Sequence, residues 1–581
     1  MRLFRWISAA ALLSCAHKHP APAPAAPPAT PGSAAGAASA PLGETVDRGT
    51  FLLTLQGQPA GREEFELFRT ADGLALRTSS SLQMGALQMA TKGTLRTDPS
   101  WRPTGGQLEA SLGGRSQKLT LRRVGGTLEL VAEAAGKPAQ TTREPTPADI
   151  FVANGVVAHL LPLCVRARAE AVTLIDFPAV SIRLLPATQR QVGARILTLL
   201  AADVAQSQRL ELVCEGPRLL AVRQPLAALL ATRVGEEAIG KLLEQGEPKK
   251  PQLPESLVEL ERTVEVPAAP GIPPAKLACS LILPKAYAEL TKRPRGGALR
   301  PLPAFGFFTG SGPEDRDEDT VGPGGLKLAI FKVIAIELGQ AGIASLRCDD
   351  RGVAKSTGSQ EEGSLEVFVA DASAIVKALR AERAIDPARV GLVGHSEGAI
   401  IGPVVATRDR KLRALVLMAG TGRTLDLVIL DQIEQAMRNR GASAAEIEKE
   451  LARSRERFAA IREGKPLPDD EGRPTLEKMT PWLHSYFVHD PAATARKLKS
   501  IAVLIAQGAR DVQVSVKDAE ILRDAIAKAG NRRLSFRLYP ELNHLFAVTK
   551  TGSIADYSDP DAKVDAGFLR DVVEFAKKAM R

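Results

Sequence analysis

The sequence is poor in several residue types that mark particular functions. Aromatic residues make up 4% of its 581 residues, and only five cysteines and seven histidines are present. No CxxC motif and no cluster of histidine with cysteine occurs, so no metal site is predicted. The net charge of +10 comes from lysines and arginines scattered among acidic residues, without a basic stripe interleaved with aromatics, which argues against nucleic-acid binding. Beyond the N-terminus, no apolar run is long and uncharged enough for a transmembrane helix.

The N-terminus has the pattern of an export signal. Two arginines lie among the first five residues, and the apolar stretch 6–13 is too short to span a bilayer. It ends in Leu-Leu-Ser-Cys, which is typical of a bacterial lipobox. We therefore predict a signal peptide over residues 1–14 and lipid attachment at Cys15; the alternative is an ordinary signal peptide with a chance cysteine. Because Ala16 rather than aspartate follows, we expect an exported lipoprotein of the outer membrane, facing the periplasm or the cell surface.

A tether and a first domain follow the lipobox. Residues 15–42 are mostly alanine, proline, glycine and serine, a composition that predicts an extended tether. Over residues 43–245, short runs with alternating apolar residues are separated by turn residues, which predicts a mainly antiparallel β domain. Helices are predicted within it over 150–161 and 226–244.

The four other cysteines fall into two pairs by location. Cys164 and Cys214 lie in the predicted β domain, where they form either a disulfide in an oxidising envelope or two buried free thiols. Cys279 and Cys348 lie in apolar runs and are predicted to be core residues.

The pattern changes after a linker rich in glycine, proline and lysine, predicted over residues 246–262. From 263 to 581, strands alternate with helices, which predicts an α/β domain with a doubly wound, mostly parallel sheet. The predicted strands are 277–283, 304–308, 343–347, 390–393, 414–418, 503–506 and 535–539, and the predicted helices are 326–338, 365–379 and 565–580. A long insertion at 422–497, dense in charged residues and alanine, predicts helices that form a lid.

The most informative motif is G-x-S-x-G at residues 394–398, between an apolar run and a helix-compatible segment. At a strand-to-helix turn, this motif is the nucleophile elbow of an α/β-hydrolase. The glycines allow a sharp bend that presents the hydroxyl of Ser396, and the helix behind it directs backbone amides at a developing oxyanion. The motif therefore predicts a catalytic serine.

A serine nucleophile needs a histidine base oriented by an acid, and in this fold the chain order is serine, acid, histidine. His544 follows the last predicted strand, where the base is expected, and the other histidines lie in the tether, the first domain, the elbow or the insertion. Asp511 follows the penultimate strand and is the predicted acid. The alternatives are a solvent-facing loop histidine and an aspartate that only caps the helix starting near Val516.

The predicted oxyanion hole uses two backbone amides. One belongs to Glu397, directly after the nucleophile. The other is expected from the glycine-rich loop after the strand 304–308, at Ser311 or Gly310, where glycines permit close backbone approach. A plain glycine-rich turn is the alternative.

Several motifs together resemble the EstD-type bacterial esterases, which border the serine aminopeptidase-like and dienelactone hydrolase-like α/β-hydrolases. They are the elbow at 394–398, the segments 310–317 and 347–358, Gln507 to Asp511, and 543–546 with 551–552 and Tyr557. The resemblance covers residues 267–581. It implies hydrolysis of carboxylic esters with Ser396, Asp511 and His544 as the triad. Two departures are Thr309-Gly310 where many relatives have His-Gly, and Ala399 where a second glycine is usual.

The expected reaction is acyl transfer to serine and then to water, without a metal or organic cofactor. The expected substrate is a small-molecule or lipid-like ester, and the membrane is contacted through the N-terminal lipid. The acidic run Asp349-Asp350 with Arg351 is predicted to form ion pairs and a turn beneath the site. One alternative function is an aminopeptidase or amidase with the same triad. Another is a non-catalytic envelope lipoprotein that binds a lipid or a protein partner.

Overall fold

The structure is a computed structural model that describes residues 42–581, apart from 56, 85–86, 114, 135–138, 146–149, 154–155, 167–170, 176–178, 206–207, 245–249, 289–298, 322–326, 440, 468–472, 550–551 and 560. The predicted signal peptide, the lipid attachment at Cys15 and nearly all of the tether lie outside these residues. Among the helices of the described part, none has the length and apolar character needed to cross a membrane.

The first half of the chain forms one large, mainly antiparallel sheet, as the alternating pattern predicts. Its strands follow the order β8-β7-β6-β5-β4-β3-β2-β1-β16-β15-β14-β13-β11-β10-β9, with β12 paired to β13. The strands are β1 (Glu44–Leu55), β2 (Gln58–Thr70), β3 (Gly73–Met84), β4 (Leu87–Thr97), β5 (Pro103–Leu112), β6 (Arg115–Val124), β7 (Thr127–Ala134), β8 (Gln140–Pro145), β9 (Ile150–Phe151), β10 (Ala171–Ile175), β11 (Ala179–Leu184), β12 (Thr188–Val192), β13 (Arg195–Val204), β14 (Gln208–Glu215), β15 (Arg218–Gln224) and β16 (Leu229–Arg233).

Both helices predicted in this domain are wrong in extent. Residues 150–161 contain strand β9 and a 3-10 turn, Ala158–Leu160, and helix α1 (Leu161–Val165) only begins there. In the segment 226–244, β16 precedes helix α2 (Glu237–Glu244). The strand is favoured because β16 fills the place beside β1, where Leu53 pairs with Ala231.

Two disulfides cross-link the chain. Cys164 of α1 is bonded to Cys214 of β14, which resolves the choice left open by the sequence in favour of the disulfide. Cys279 and Cys348 are buried core residues, as predicted, and they are also bonded to each other, which the sequence did not predict. These two residues lie directly opposite each other in neighbouring antiparallel strands, and the sequence around each cysteine does not reveal how the two strands pair.

The second half forms an eight-stranded sheet in the order β17-β18-β20-β19-β21-β22-β23-β24. The pairs β17–β18 and β18–β20 are antiparallel and the remaining pairs are parallel. The strands are β17 (Leu257–Val266), β18 (Ala275–Pro284), β19 (Leu302–Phe308), β20 (Ala344–Cys348), β21 (Ile385–His395), β22 (Ala414–Met418), β23 (Ala502–Gly508) and β24 (Leu534–Tyr539). This mostly parallel sheet, with a strand-to-helix elbow after its fifth strand, is the α/β-hydrolase fold.

The linker prediction is too long at its C-terminal end. Strand β17 begins at Leu257 and pairs along its length with β18, so part of the predicted linker 246–262 belongs to the second sheet. The prediction fails because β17 is an edge strand of mixed polarity with many exposed or half-buried residues, a weak signal beside a proline-rich segment.

Helices cover both faces of the second sheet. Their bounds are α3 (Ile330–Gln340), α4 (Leu365–Ala381), α5 (Glu397–Arg408), α6 (Leu425–Asn439), α7 (Ala444–Arg462), α8 (Arg473–Phe487), α9 (Pro491–Ala495), α10 (Val516–Lys528) and α11 (Ala566–Ala579). One apolar core joins α4, α5 and α10 to the sheet, and a second joins α3 and α11 to its other face. The insertion 422–497 contains α6 to α9, and α6, α7 and α8 share a small apolar core of their own.

The acidic run after β20 forms ion pairs, as predicted. Asp349 binds the guanidinium of Arg316 at 2.9 Å. Arg351 makes a two-pronged contact with Asp371 of α4 and also donates to the carbonyl of Pro273 at 2.7 Å. The side chains of Arg351 and Asp371 are 0% and 2% exposed, so this ion pair is almost completely removed from water.

We expect Asp371→Ala to lower the stability of the second domain by about 3–5 kcal/mol, because the variant leaves the Arg351 cation buried without its partner. The shift in the denaturant midpoint of that domain measures the effect. Glu434→Ala, which removes an exposed i,i+4 partner of Arg438, is the matched control and should cost a few tenths of a kcal/mol. Equal midpoints for the two variants would contradict the assignment.

Candidate functional site

The predicted elbow lies at the end of β21, where the chain turns into α5. Ser396 is the turn residue and has φ 52° and ψ −108°, a strained conformation for a residue with a side chain. A Cβ at Gly394 would lie 2.2 Å from the carbonyl oxygen of Gly398, and a Cβ at Gly398 would lie 2.2 Å from that of Phe308. Both glycines are therefore required, and the bend holds the serine at the sheet edge.

The structure brings the predicted acid and base into contact. His544 Nδ1 lies 2.7 Å from Asp511 Oδ2, and the two side chains are 5% and 0% exposed. The other oxygen of Asp511 accepts from the backbone amides of Gln513 and Val514. Helix α10 is preceded by Ser515, so Asp511 is not its N-cap. These contacts fix the carboxylate in the orientation that an acid behind a catalytic histidine requires.

The His544 loop is anchored directly behind the elbow. The carbonyl of His544 accepts a hydrogen bond from His395 Nε2 at 2.9 Å, and the centroids of the two imidazole rings are 4.6 Å apart. Asn543 Oδ1 accepts from the amides of Leu545 and Ala547, which closes the loop on itself. His544 is thus held beside the residue that precedes Ser396.

The first domain contacts the segment that follows this loop. Arg209 of β14 lies 3.7 Å from Asp556, and the neighbouring Tyr557 accepts a hydrogen bond from Gln513 at 3.1 Å. Gln513 in turn donates its amide to Asp511. The large sheet therefore lies next to the Asp511–His544 pair.

The predicted oxyanion loop lies beside the elbow, and its amides are not equivalent. The amide of Gly310 donates to Glu318 Oε1 at 3.1 Å, whereas within the described residues the amides of Ser311 and Glu397 have no acceptor in the protein. The carbonyl of Thr309 accepts from Gly398 at 2.9 Å and fixes the loop against α5. This geometry favours Ser311 over Gly310 as the partner of Glu397.

Four carboxyl groups surround this loop. Burial, reinforced by the neighbouring Glu318 and Asp350, raises the pKa of Glu314 well above its usual range. Burial also raises the pKa of Asp350, although Thr309 and the amide of Glu314 donate to it. Burial raises the pKa of Glu397 to about 7. The site therefore concentrates acidic groups that are costly to ionise together.

The insertion reaches the elbow through Glu397. Trp482 Nε1 of α8 donates to Glu397 Oε1 at 2.8 Å, and Tyr486 of the same helix lies close to this carboxyl group. The backbone amide of Glu397 therefore lies at the elbow, while its side chain contacts a helix of the insertion.

Sequence reasoning missed two of these contacts. The motif indicated a backbone role for Glu397 and no role for its side chain, and His395 was set aside as a residue facing away from the serine. Its other ring nitrogen, Nδ1, lies 2.5 Å from Glu318 Oε1. The sequence did contain one signal for the second contact. Residues 315–319 include three aspartates and a glutamate, and such a dense acidic segment suggests that some of these side chains bind basic partners inside the fold.

The fold and the elbow place the second domain in the α/β-hydrolase class. Comparison with known proteins agrees: residues 327–548 match the family described as serine aminopeptidase, S33. The chain is 32% identical over 252 residues to Esterase EstD of Thermotoga maritima, which confirms the predicted resemblance. That match covers 43% of this chain and 56% of EstD, so the chain spans little more than half the length of this relative.

Similar solved structures include two esterases. Est1E of Butyrivibrio proteoclasticus, solved with ferulic acid, is 15% identical with a TM-score of 0.34 and covers 54% of this chain and 98% of its own. An esterase of Pyrococcus furiosus is 15% identical with a TM-score of 0.35 and covers 58% of this chain and 98% of its own. Scores of this size carry no weight for function.

Proposed function

We propose that the protein is a serine hydrolase that cleaves carboxylic esters through Ser396, His544 and Asp511. The observation that carries this proposal is the buried contact of Asp511 with His544 Nδ1 on a loop held against the elbow of Ser396. Resemblance to EstD supports an ester as the substrate.

In the proposed reaction, His544 Nε2 takes the proton of Ser396 while Oγ forms a bond to the ester carbonyl carbon. The carbonyl electrons move to oxygen, and the amides of Ser311 and Glu397 bind this oxyanion. The C–O bond to the alcohol then breaks, and the alcohol leaves with the proton from His544. Water adds to the acyl-enzyme by the same route, giving its proton to His544, and the acid departs as Ser396 regains its proton.

A fluorophosphonate probe followed by mass-spectrometric mapping of the adduct tests the nucleophile. We expect modification at Ser396 in the wild-type protein. An unmodified Ser396 in a folded sample would instead support the non-catalytic alternative, a lipoprotein that binds a lipid or a protein partner.

The second candidate is an aminopeptidase or amidase with the same catalytic residues. The observation that favours it is the group of carboxyls at Glu314, Glu318, Asp350 and Glu397, because a substrate ammonium group would offset the cost of ionising them together. A panel of p-nitrophenyl esters compared with aminoacyl nitroanilides separates the two. A higher kcat/KM on the nitroanilides would make the amide reaction the better assignment.

We propose that the insertion 422–497 serves as a lid. Support comes from the hydrogen bond of Trp482 in α8 to Glu397, the residue next to Ser396 that we propose as an oxyanion-amide donor. Movement of α8 would therefore open or cover the elbow.

We further propose that the protein acts in the bacterial envelope as a lipoprotein anchored at Cys15. Disulfides persist in oxidising compartments, so the bonds Cys164–Cys214 and Cys279–Cys348 support export.

For the anchor, we expect Cys15→Ser to move the protein from the membrane fraction to the soluble fraction, because the tether offers no second lipid site. The several acyl chains of a bacterial lipoprotein bind a bilayer much more firmly than one chain does. Fractionation followed by immunoblotting measures the change, with Ser14→Ala, which keeps a small residue before the cysteine, as the control. Unchanged membrane association of Cys15→Ser would point to anchoring by the first domain or a partner.

A further inference from the structure

His395 joins three parts of the site that come from distant segments of the chain. It precedes Ser396 at the end of β21, its Nε2 donates to the carbonyl of His544 at 2.9 Å, and its Nδ1 lies 2.5 Å from Glu318 Oε1. Glu318 Oε1 also accepts the amide of Gly310 at 3.1 Å. One chain of hydrogen bonds therefore runs from the oxyanion loop through the elbow to the His544 loop.

The contacts define the protonation state of this chain. A carbonyl oxygen only accepts, so Nε2 must carry a hydrogen, and Glu318 Oε1 already accepts from Gly310, which favours an ionised carboxylate that accepts from Nδ1 as well. Both ring nitrogens then donate, and the ring is an imidazolium. His395 and Glu318 are 3% and 5% exposed, so each charge depends on the other.

The surroundings favour this charged form of the ring. Burial is the largest single influence and opposes the charge on His395, but the charge and hydrogen bond of Glu318, the carbonyl of His544 and the charge of Asp511 together raise the pKa of His395. The other groups that face the pair are the His544 ring, Phe546 at 6.3 Å between ring centroids, and the carboxyl groups of Glu314 and Asp350 near Glu318.

We propose that His395 and Glu318 form a charged positioning pair that holds the oxyanion loop and the His544 loop in fixed positions relative to Ser396. Neither residue touches the reacting atoms; both act through Ser311 and His544. This inference rests on the proposed hydrolase function. While Glu318 is an ionised acceptor, a neutral His395 has a single N–H to donate, so it must release either Glu318 or the carbonyl of His544, and the two loops are then no longer tied together.

The test compares Glu318→Gln with Glu318→Asp in the full-length protein. Glutamine keeps an acceptor for the Gly310 amide but removes the charge that sustains the imidazolium, whereas aspartate keeps the charge. The rate of fluorophosphonate reaction at Ser396 is measured from pH 5 to pH 10. We expect Glu318→Gln to lose about 10- to 100-fold in rate at alkaline pH. The labelling rate of this variant should begin to fall at a pH about 1–3 units lower than that of the wild type, because the negative charge that favours the protonated form of His395 has been removed.

The shape of the pH profile separates positioning from a general loss of fold. A partly unfolded variant lowers the rate at every pH without moving the decline, and Glu318→Asp should restore its position. Glu366→Gln, which breaks an exposed ion pair with Arg408, is the control and should match the wild type.

A Glu318→Gln profile that declines at the same pH as the wild type would overturn the proposal, whatever its amplitude. A decline shifted equally in the aspartate variant would also overturn it, since the charge would then be irrelevant. Absence of labelling at Ser396 in the wild type would reject the proposed hydrolase itself, so the two failures are distinguishable.

Discussion

Replacing Ser396 by alanine is expected to lower kcat for ester hydrolysis by about 10⁴- to 10⁶-fold, because the variant lacks the oxygen atom that forms the acyl-enzyme in the proposed reaction. The fold should remain intact, since the change removes one hydroxyl from a turn shaped by Gly394 and Gly398. Initial rates on a short-chain p-nitrophenyl ester, with circular dichroism on the same samples, measure both expectations.

Ser373→Ala is the matched control, because it removes a hydroxyl on the exposed side of α4 that donates to the carbonyl of Val369, and it should leave the rate unchanged. Turnover by Ser396→Ala close to that of this control would show that another group attacks the ester.

Replacing Asp511 by asparagine is expected to lower kcat by about 10⁴-fold, as the same change does in a serine protease triad. The asparagine carbonyl can still accept the amides of Gln513 and Val514, which leaves its NH₂ group facing His544 Nδ1. The ring must then accept at Nδ1 and carry its proton on Nε2, where it cannot take the proton of Ser396. The loss should therefore fall on kcat with KM little changed.

Asp524→Asn provides the control for this variant, because Asp524 is an exposed carboxylate of α10 that pairs with its neighbour Arg523. If Asp511→Asn and Asp524→Asn hydrolysed esters at the same rate, Asp511 would have only the structural role of holding its turn.

Local signals explain what the sequence predicted well. Strand β22 was predicted with its observed bounds because a fully buried parallel strand is a continuous apolar run. The elbow needs two glycines and a serine within five residues, so its conformation is encoded where it occurs. The contact between His544 and Asp511 could be predicted because the fold places the two residues after particular strands.

Long-range pairing explains what was missed. The apolar residues of the β16 segment are compatible with either a helix or a strand. The strand forms because the segment pairs with β1, which lies almost the whole domain earlier in the chain. The Cys279–Cys348 disulfide depends on the register of β18 against β20. The contact of His395 with Glu318 joins residues 77 positions apart, and its side-chain directions are set by the completed fold.

The hydrogen bond between Trp482 and Glu397 also gives the protein a built-in fluorescent reporter. The chain has three tryptophans: one lies in the predicted signal peptide, and Trp101 belongs to the first domain. Once the predicted signal peptide is removed, Trp101→Phe would leave the indole of Trp482 as the only tryptophan emitter, with its N–H on the carboxyl group of Glu397. Opening of the inserted helix, or acylation of the neighbouring serine, would then be followed in real time by emission wavelength and intensity, without a chromogenic substrate.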